Sequence, residues 1–183
     1  MKALLRGERA NVDGDLGLIL RMRNGSEQAA EEFVRKYYGT IGKYCLLHCR
    51  NKSDAEDMTQ VVFEHFFRSF PEYRHHGKAL NYLYTIAANV CRDFARREEP
   101  LPLEELESEP EAPPGQEDTI LDVRRALQSL PQELRETAIL YFFQDRKQSE
   151  IARILGIGLP LVKYRIRRAR ELLREQLREA VTV

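Results

Sequence analysis

The side chains best suited to chemistry lie in a basic segment near the C-terminus. Between Arg146 and Arg178 the sequence holds ten lysines and arginines against three glutamates, a net charge of +7. Lysine and arginine neutralise phosphates, and an arginine can form two parallel hydrogen bonds to a guanine edge. This pattern predicts nucleic-acid binding rather than covalent chemistry. The alternative is a plain helical hairpin with a solvated basic face.

Residues 150–162 have the spacing typical of a helix-turn-helix. Ala152 is small where a second helix would cross the first, and Gly156 can adopt the positive φ that a tight helix end requires. The helix that follows has a width that suits the DNA major groove, and Pro160 is tolerated in its first turn. Its candidate DNA contacts are Lys163, Tyr164, Arg165, Arg167 and Arg168.

Metal binding and covalent catalysis find little support in the sequence. Cys45, His48 and Cys49 are close along one predicted helix, but no second cluster with zinc-type spacing supplies further ligands, so packing is favoured. No glycine-rich phosphate loop or nucleophile elbow is present. We therefore expect no catalytic residue, no metal and no cofactor. Three cysteines fit a reducing compartment.

Helical periodicity dominates the elements that must position these residues. No alternating β-branched run predicts a strand, so we expect an all-α fold. Leu16, Ile19, Leu20 and Met22 would face inward on a first helix. Further helices are predicted to begin at a Ser26 cap and at a capping box over 53–56. The remaining helices are predicted over 78–97, 120–129, 131–144, 148–155 and 159–177, and Tyr141 and Phe142 would pack in the helix over 131–144.

The charge and proline pattern divides the chain into two domains. Nine acids and no base lie between Glu98 and Asp118, and five prolines fall in the same stretch. Such a segment should stay extended and mobile. We therefore predict two small helical domains, 13–97 and 120–178, joined by an acidic flexible linker over 98–119. No signal sequence or long apolar run is visible, so we expect a cytoplasmic protein without membrane insertion.

Motifs in both domains resemble those of bacterial RNA polymerase sigma factors. Leu127-Gln128-Ser129-Leu130-Pro131, the helix-turn-helix and Arg168-Ala169-Arg170-Glu171-Leu172-Leu173 resemble sigma region 4. Asp54-Ala55-Glu56-Asp57-Met58-Thr59-Gln60-Val61-Val62-Phe63 resembles region 2.2, and Tyr82-Leu83-Tyr84-Thr85-Ile86-Ala87-Ala88-Asn89 resembles regions 2.3 and 2.4. Their order and separation resemble the compact extracytoplasmic-function (ECF) group. The chain departs from that pattern at Tyr82, where tryptophan is common, and at Lys147, Pro160-Leu161 and Tyr164.

The resemblance implies an alternative sigma factor rather than an enzyme. Such a protein binds core RNA polymerase, recognises and melts the −10 promoter element and recognises the −35 element. The implied contacts to the clamp helices of the polymerase β′ subunit are Asp54, Asp57 and Gln60, although these residues could simply complement a helix dipole. The implied −10 contacts are Lys78, Asn81, Tyr82, Tyr84, Asn89, Arg92, Arg96 and Arg97, although either tyrosine could instead pack in the core. The implied −35 contacts are the five residues of the basic helix given above.

The resemblance also implies partners: core RNA polymerase through its clamp helices and β flap, promoter DNA and an anti-sigma factor. The acidic linker could occupy a basic channel of the polymerase or could simply be disordered. The main alternative function is a stand-alone helix-turn-helix regulator that dimerises on a palindromic duplex. An enzyme that uses Cys45 and His48 is a weaker alternative. The sequence leaves open whether the two domains are packed together or apart.

Overall fold

The computed structural model describes residues 15–49, 51–97 and 117–181, and these residues form helices without strands. The prediction of an all-α fold is therefore confirmed. The N-terminal domain comprises α1 (15–23), α2 (Glu27–His48), α3 (Lys52–Ser69) and α4 (Ala79–Arg97). The C-terminal domain comprises α5 (Glu117–Gln128), α6 (Gln132–Ala138), a π-helical turn (Ile139–Phe143), α7 (Gln148–Leu155) and α8 (Leu159–Val181). Most of the predicted linker lies outside the described residues.

The core of the N-terminal domain forms where α2, α3 and α4 pack together. Phe33 of α2 stacks on Phe66 of α3 with ring centroids 4.6 Å apart, and Leu83 of α4 is fully buried. Each large apolar side chain buried in this way contributes about 1.5–3 kcal/mol. The predicted inward positions Met58, Val62 and Phe66 are all buried, so the core orients the outer faces of α3 and α4.

Helix α1 is rotated relative to the prediction from its apolar residues. Ile19 and Met22 are buried as predicted, but Leu16 and Leu20 are 45% and 50% exposed. The cause is Asp15, which is buried and accepts hydrogen bonds from the Tyr37 hydroxyl and from Lys36 Nζ at 2.6 Å. This polar anchor turns the leucines toward solvent.

The helix caps confirm one prediction and correct another. Ser26 caps α2 as predicted, because its hydroxyl accepts a hydrogen bond from the amide of Ala29 at 3.3 Å. The capping box at Ser53 is wrong, since α3 begins at Lys52, two residues earlier than that box implies, and its N-cap is Asn51. The Asn51 side-chain oxygen accepts from the Asp54 amide at 2.7 Å, and its Nδ2 donates to the Asp54 carboxylate at 2.8 Å.

The C-terminal domain differs from the prediction in its second helix. The helix expected to run to residue 144 ends at Ala138 and continues as the π-helical turn Ile139–Phe143. Ile139 and Leu140 are fully buried, whereas Phe142, predicted to pack, is 41% exposed. The wider turn shifts the helical phase, which moves Phe142 out of the core. Helices α7 and α8 begin at the predicted residues.

The two domains pack directly against each other. Helix α4 lies against α7, and the C-terminal end of α2 lies against α5. At the latter contact the carbonyl oxygen of Cys49 accepts hydrogen bonds from Gln128 Nε2 at 3.2 Å and from Arg124 Nη2 at 3.4 Å. The question that the sequence left open is thus answered for this structure: the domains are closed on each other.

Candidate nucleic-acid interface

Helices α7 and α8 form the predicted helix-turn-helix. Gly156 has φ of 66°, in the left-handed region, and the amide of Ile157 donates to the carbonyl of Ala152 at 3.0 Å. Ile151 and Val162 are fully buried between the helices. The glycine therefore closes α7 as the sequence predicted, and it fixes the angle at which α8 leaves the turn.

Four of the five candidate residues on α8 face solvent. Lys163, Tyr164, Arg167 and Arg168 are exposed, and the Arg167 guanidinium lies 5.9 Å from the centre of the Tyr164 ring. The side chain of Arg165 is only 12% exposed and pairs with Glu133 of α6 at 3.1 Å. The structure thus brings a basic face to the surface but turns Arg165 back toward its own domain.

Glutamate 171 partly neutralises that basic face. Its carboxylate lies 3.2 Å from Arg168 and 4.0 Å from Arg167, and all three side chains are substantially exposed. Exposed ion pairs of this kind contribute at most about 1 kcal/mol. A phosphate could therefore replace Glu171 as the partner of these arginines at little cost.

Seven of the eight predicted −10 residues fall into two groups, on α4 and at Lys78 just before it. Asn89, Arg96 and Arg97 are exposed, and Arg96 pairs only loosely with Asp93 at 3.5 Å. The second group turns toward the C-terminal domain. It consists of Lys78, Asn81, Tyr84 and Arg92.

The two tyrosines of α4 have different surroundings. Tyr82 is half-buried, stacks on Tyr73 with ring centroids 4.8 Å apart and shares a 3.0 Å hydrogen bond with Ser69. Tyr84 is buried, and its hydroxyl donates to the side-chain oxygen of Gln144 at 2.6 Å. Burial raises the pKa of Tyr84 to about 12, so its hydroxyl stays protonated. In the closed arrangement Tyr84 is part of the domain interface rather than an open surface.

Glu150 of α7 binds two of the α4 candidates. One carboxylate oxygen accepts from Lys78 Nζ at 3.0 Å and from Asn81 Nδ2 at 3.3 Å, while the other accepts from the Lys147 amide at 3.1 Å. Burial alone would raise the pKa of Glu150, but the hydrogen bonds from Lys78, Lys147 and Asn81 lower it to about 2. The carboxylate is therefore ionised and caps α7 while it contacts α4.

Glu136 of α6 makes the second charged contact across the interface. Its two carboxylate oxygens each lie 3.0 Å from a nitrogen of Arg92, in a bidentate arrangement, and Glu136 is buried. The hydrogen bond to Glu136 raises the pKa of Arg92 above its ordinary value. Bidentate pairs of this geometry also form between arginine and phosphate.

A cleft of about 420 Å³ lies beside the Lys78–Glu150 contact. It opens between the loop before α4, α4 itself and α7. Its lining includes Arg74, Lys78, Asn81, Tyr82 and Arg153. The lining also includes Glu72 and Tyr73, and Arg153 belongs to α7, so this cleft exists only where the two domains meet.

The candidate polymerase contacts occupy the first half of α3. Asp57 and Gln60 are exposed on its outer face, whereas Asp54 is half-buried and is held by Asn51. The two exposed side chains are thus accessible to a partner protein. The side chain of Asp54 instead contacts the N-cap residue Asn51 at the start of α3.

The residues that the structure describes give no support for a metal site. In that part of the chain no group of three or more histidine, cysteine or acidic side chains could hold a metal ion. Cys45, Cys49 and Cys91 are buried free thiols. No helix that the structure describes is long and apolar enough to span a membrane.

Sequence reasoning missed Glu136 and Glu150 as partners of the α4 residues. Both are buried glutamates, Glu136 between Leu134 and Thr137 and Glu150 beside Ile151. Isolated acids on otherwise buried helix faces require a cation, because an unpaired buried charge is costly. A glutamate on an otherwise buried helix face was therefore the signal in the sequence that a cation lies nearby. The sequence does not show which cation it is.

Both domains match models of known protein families. A family model described as sigma-70 region 2 matches residues 33–100, and one described as sigma-70 region 4 matches residues 120–173. The chain is 30% identical to the ECF RNA polymerase sigma factor SigM of Mycobacterium tuberculosis, over 85% of this chain and 81% of that protein.

Two further proteins are similar over most of the chain. It is 31% identical to the ECF RNA polymerase sigma factor SigE of Mycolicibacterium smegmatis over 80% of its length, but spans only 61% of that longer protein. The sigma factor RpoE of Bartonella quintana, solved in complex with the anti-sigma factor NepR, superposes with a TM-score of 0.66 at 18% identity. That match covers 81% of this chain and 96% of RpoE, and it supports the fold.

Proposed function

Since this chain belongs to the family of ECF RNA polymerase sigma factors, we propose that its two domains divide promoter recognition between α4 and α8. Sigma factors are not enzymes; they direct polymerase to promoters and start transcription there. The observation that supports the division is the location of cations on one outer face of each domain. Arg96 and Arg97 extend from α4, and Lys163, Arg167 and Arg168 extend from α8.

The C-terminal domain, 120–178, would place α8 in the major groove of the −35 element. Exposed Arg167 and Arg168 can contact phosphates or guanine edges, and Lys163 can contact phosphates. Tyr164 would lie against the groove wall beside Arg167. Arg165 supports the helix through Glu133 before any contact with DNA.

The N-terminal domain, 13–97, would capture the unpaired −10 strand along α4. Asn89 can hydrogen-bond a base edge, and Lys78, Arg92, Arg96 and Arg97 can neutralise the backbone. Asn81 and Tyr82 can contact an unstacked base once α7 has moved away. Tyr84 would become accessible only after the domains separate.

The outer face of α3 would bind the clamp helices of the polymerase β′ subunit. Exposed Asp57 and Gln60 offer the polar contacts there, with Asp54 holding the helix start. The C-terminal domain would meet the β flap, and the acidic segment 98–119 would connect the two bound domains. Linkage of the two domains in one chain would raise their combined affinity through effective concentration.

An anti-sigma factor is the regulatory partner that we propose, because RpoE, which has the same fold, was solved with one. The site of action would be the cytoplasm, where polymerase and chromosome are found. A stand-alone regulator needs only the helix-turn-helix, and it leaves the region 2 match unexplained.

Run-off transcription on genomic fragments tests the proposal. Core RNA polymerase with this chain should produce starts that core polymerase alone does not, and the upstream sequences of those starts should share two elements. Absence of new starts, together with tight duplex binding by the chain alone, would favour a stand-alone regulator.

A further inference from the structure

An apolar patch covers the first two turns of α8. Leu159, Leu161 and Tyr164 are 39%, 41% and 51% exposed, and Pro160 between them is exposed as well. Of the eight large apolar side chains that stay exposed in the described part of the chain, these turns carry three. A single exposed leucine is ordinary on a protein surface, whereas a contiguous apolar patch indicates a binding site.

The same two turns offer few hydrogen-bonding groups. Pro160 has no amide hydrogen, and the amide of Leu161 already donates to the carbonyl oxygen of Gly158 at 3.0 Å. Among the side chains of residues 159–164, only those of Lys163 and Tyr164 carry a polar group. The start of α8 therefore presents mainly hydrocarbon to its surroundings.

We propose that Leu161 and Tyr164 recognise the C5-methyl groups of thymines in the −35 element, and that this apolar contact helps to select the promoter sequence. The inference rests on the proposed function, in which α8 enters the major groove. In helix-turn-helix proteins the N-terminal residues of the second helix contact base edges. The thymine methyl is the apolar group that those edges present in the major groove, so it suits a leucine and an aromatic ring.

The spacing of the two side chains suits neighbouring bases. Leu161 and Tyr164 lie three residues apart, on one face of the helix. This spacing is about 4.5 Å along the helix axis, and successive bases of one DNA strand are about 3.4 Å apart. The Arg167 guanidinium lies 5.9 Å from the centre of the Tyr164 ring, a cation–π contact that favours this position of the ring.

The charges around the patch favour DNA over a protein as its partner. Four cations and no acid lie between Leu159 and Arg168. A polyanion whose base edges carry methyl groups matches both the cations and the apolar side chains. Phosphate contacts position a protein on DNA, and base contacts determine which sequence it selects. The exposed cations of α8 thus position the helix, and the apolar pair distinguishes A·T from G·C base pairs.

The test replaces thymines of the −35 element, one at a time, with deoxyuridine in a promoter mapped by run-off transcription. This exchange removes the methyl group and leaves every hydrogen-bonding group of the base in place. Core polymerase that carries the full wild-type chain should bind at least one substituted promoter about four-fold more weakly, the value for one methyl group removed from water. Anisotropy of labelled promoter fragments gives the affinity. No loss at any thymine, or a −35 element without A·T pairs, would overturn the proposal.

Two variants connect the methyl groups to the residues. Leu161→Ala and Tyr164→Ala should each weaken binding of the unmodified promoter, and each should abolish the deoxyuridine penalty at one or more thymines. Lys163→Ala should weaken binding but retain the penalty, because it removes a phosphate contact. The matched apolar control is Leu20→Ala on α1, where the leucine is 50% exposed; it should equal wild type in both respects. Circular dichroism establishes that each variant is folded, and the wild-type comparison needs no variant.

Three results would count against the account. A penalty that persists in both Leu161→Ala and Tyr164→Ala would overturn the proposal, because the methyl group would then act through the shape of the DNA. Weaker transcription at unchanged promoter affinity in these variants would indicate a protein partner for the patch and would also overturn it. Failure of the proposed function would appear separately, as absence of polymerase-dependent starts for the wild-type chain, and this inference would fall with it.

Discussion

Arg92 and Glu136 meet across the boundary between the two domains, with Nε and Nη2 of the arginine each 3.0 Å from a carboxylate oxygen of the glutamate. Glu136 is almost inaccessible, whereas the Arg92 side chain is 30% exposed. The stability of the closed chain therefore depends in part on Arg92, a residue that we propose binds DNA.

Replacing Glu136 with alanine should destabilise the folded chain by about 1–3 kcal/mol, because Arg92 would lose its partner at a partly desolvated site. Urea unfolding gives the free energy of unfolding. The control is Glu175→Ala, at an exposed position of α8, where the cost should stay below about 1 kcal/mol. Equal losses in the two variants would contradict the role assigned to Arg92–Glu136.

His48 should make the chain less stable in mild acid. Its ring lies 4.5 Å from that of Tyr44, and its Nε2 is buried without a hydrogen-bond partner among the described residues. Burial, together with the charges of Arg135 and Arg92, lowers the pKa of His48 from 6.5 to about 3. The unfolded chain therefore takes up the proton first, so the His48 contribution is complete above pH 6.5 and declines as the pH falls toward 3.

The expected loss is about 1 kcal/mol in the free energy of unfolding between pH 7.5 and pH 5.5. Urea unfolding at the two pH values measures it. His48→Gln should remove this difference, whereas His65→Gln, at an exposed position of α3, should retain it. The assignment fails if His48→Gln shows the full wild-type pH dependence.

Gly156→Ala should lower the free energy of unfolding by about 1 kcal/mol through backbone strain alone. Gly156 has φ of 66°, and a Cβ there would meet nothing within 4 Å, so crowding adds no further cost. Gly158→Ala is the control, because Gly158 lacks a positive φ and its Cβ would make an ordinary 3.7 Å contact with Pro160. Thermal melting should separate the two variants, and a larger effect at Gly158 would contradict this account of the turn.

The exposed cations of α8 should each contribute one phosphate contact to duplex binding. Alanine at Lys163, Arg167 or Arg168 should reduce the slope of log affinity against log salt by about 1. Arg165→Ala should change the slope less, because that side chain is 12% exposed and paired with Glu133. Anisotropy with a duplex that carries the mapped −35 element, between 50 and 200 mM salt, gives these slopes. Arg35→Ala, at an exposed position of α2, should leave the slope unchanged.

Most of the fold could be predicted from local sequence signals, because single residues and short apolar patterns determine where the helices begin, where they end and which face is buried. Gly156 ended α7, Ser26 capped α2, and the apolar spacing of α3 and α4 identified the buried faces of both helices. Where two local signals competed, the prediction failed. Asn51 and Ser53 both suit an N-cap, so residue type alone does not decide between them.

The parts that the sequence could not predict depend on contacts between distant residues. Asp15 determines the rotation of α1 through Tyr37 and Lys36, which are more than 20 positions away. The contacts of Glu136 with Arg92 and of Glu150 with Lys78 join residues 44 and 72 positions apart. The resemblance to sigma region 2 marked the cations of α4 as DNA-binding candidates, but only the packing of the two domains revealed the carboxylates that bind them.

Permanganate reactivity of thymines in a promoter mapped by run-off transcription tests most directly the claim that α4 captures an unpaired strand. With core polymerase and the wild-type chain, thymines of the −10 element should become reactive. The variant Asn89→Ala/Arg96→Ala should weaken that reactivity while Arg35→Ala retains it. Equal reactivity with wild type and the α4 variant would contradict the account.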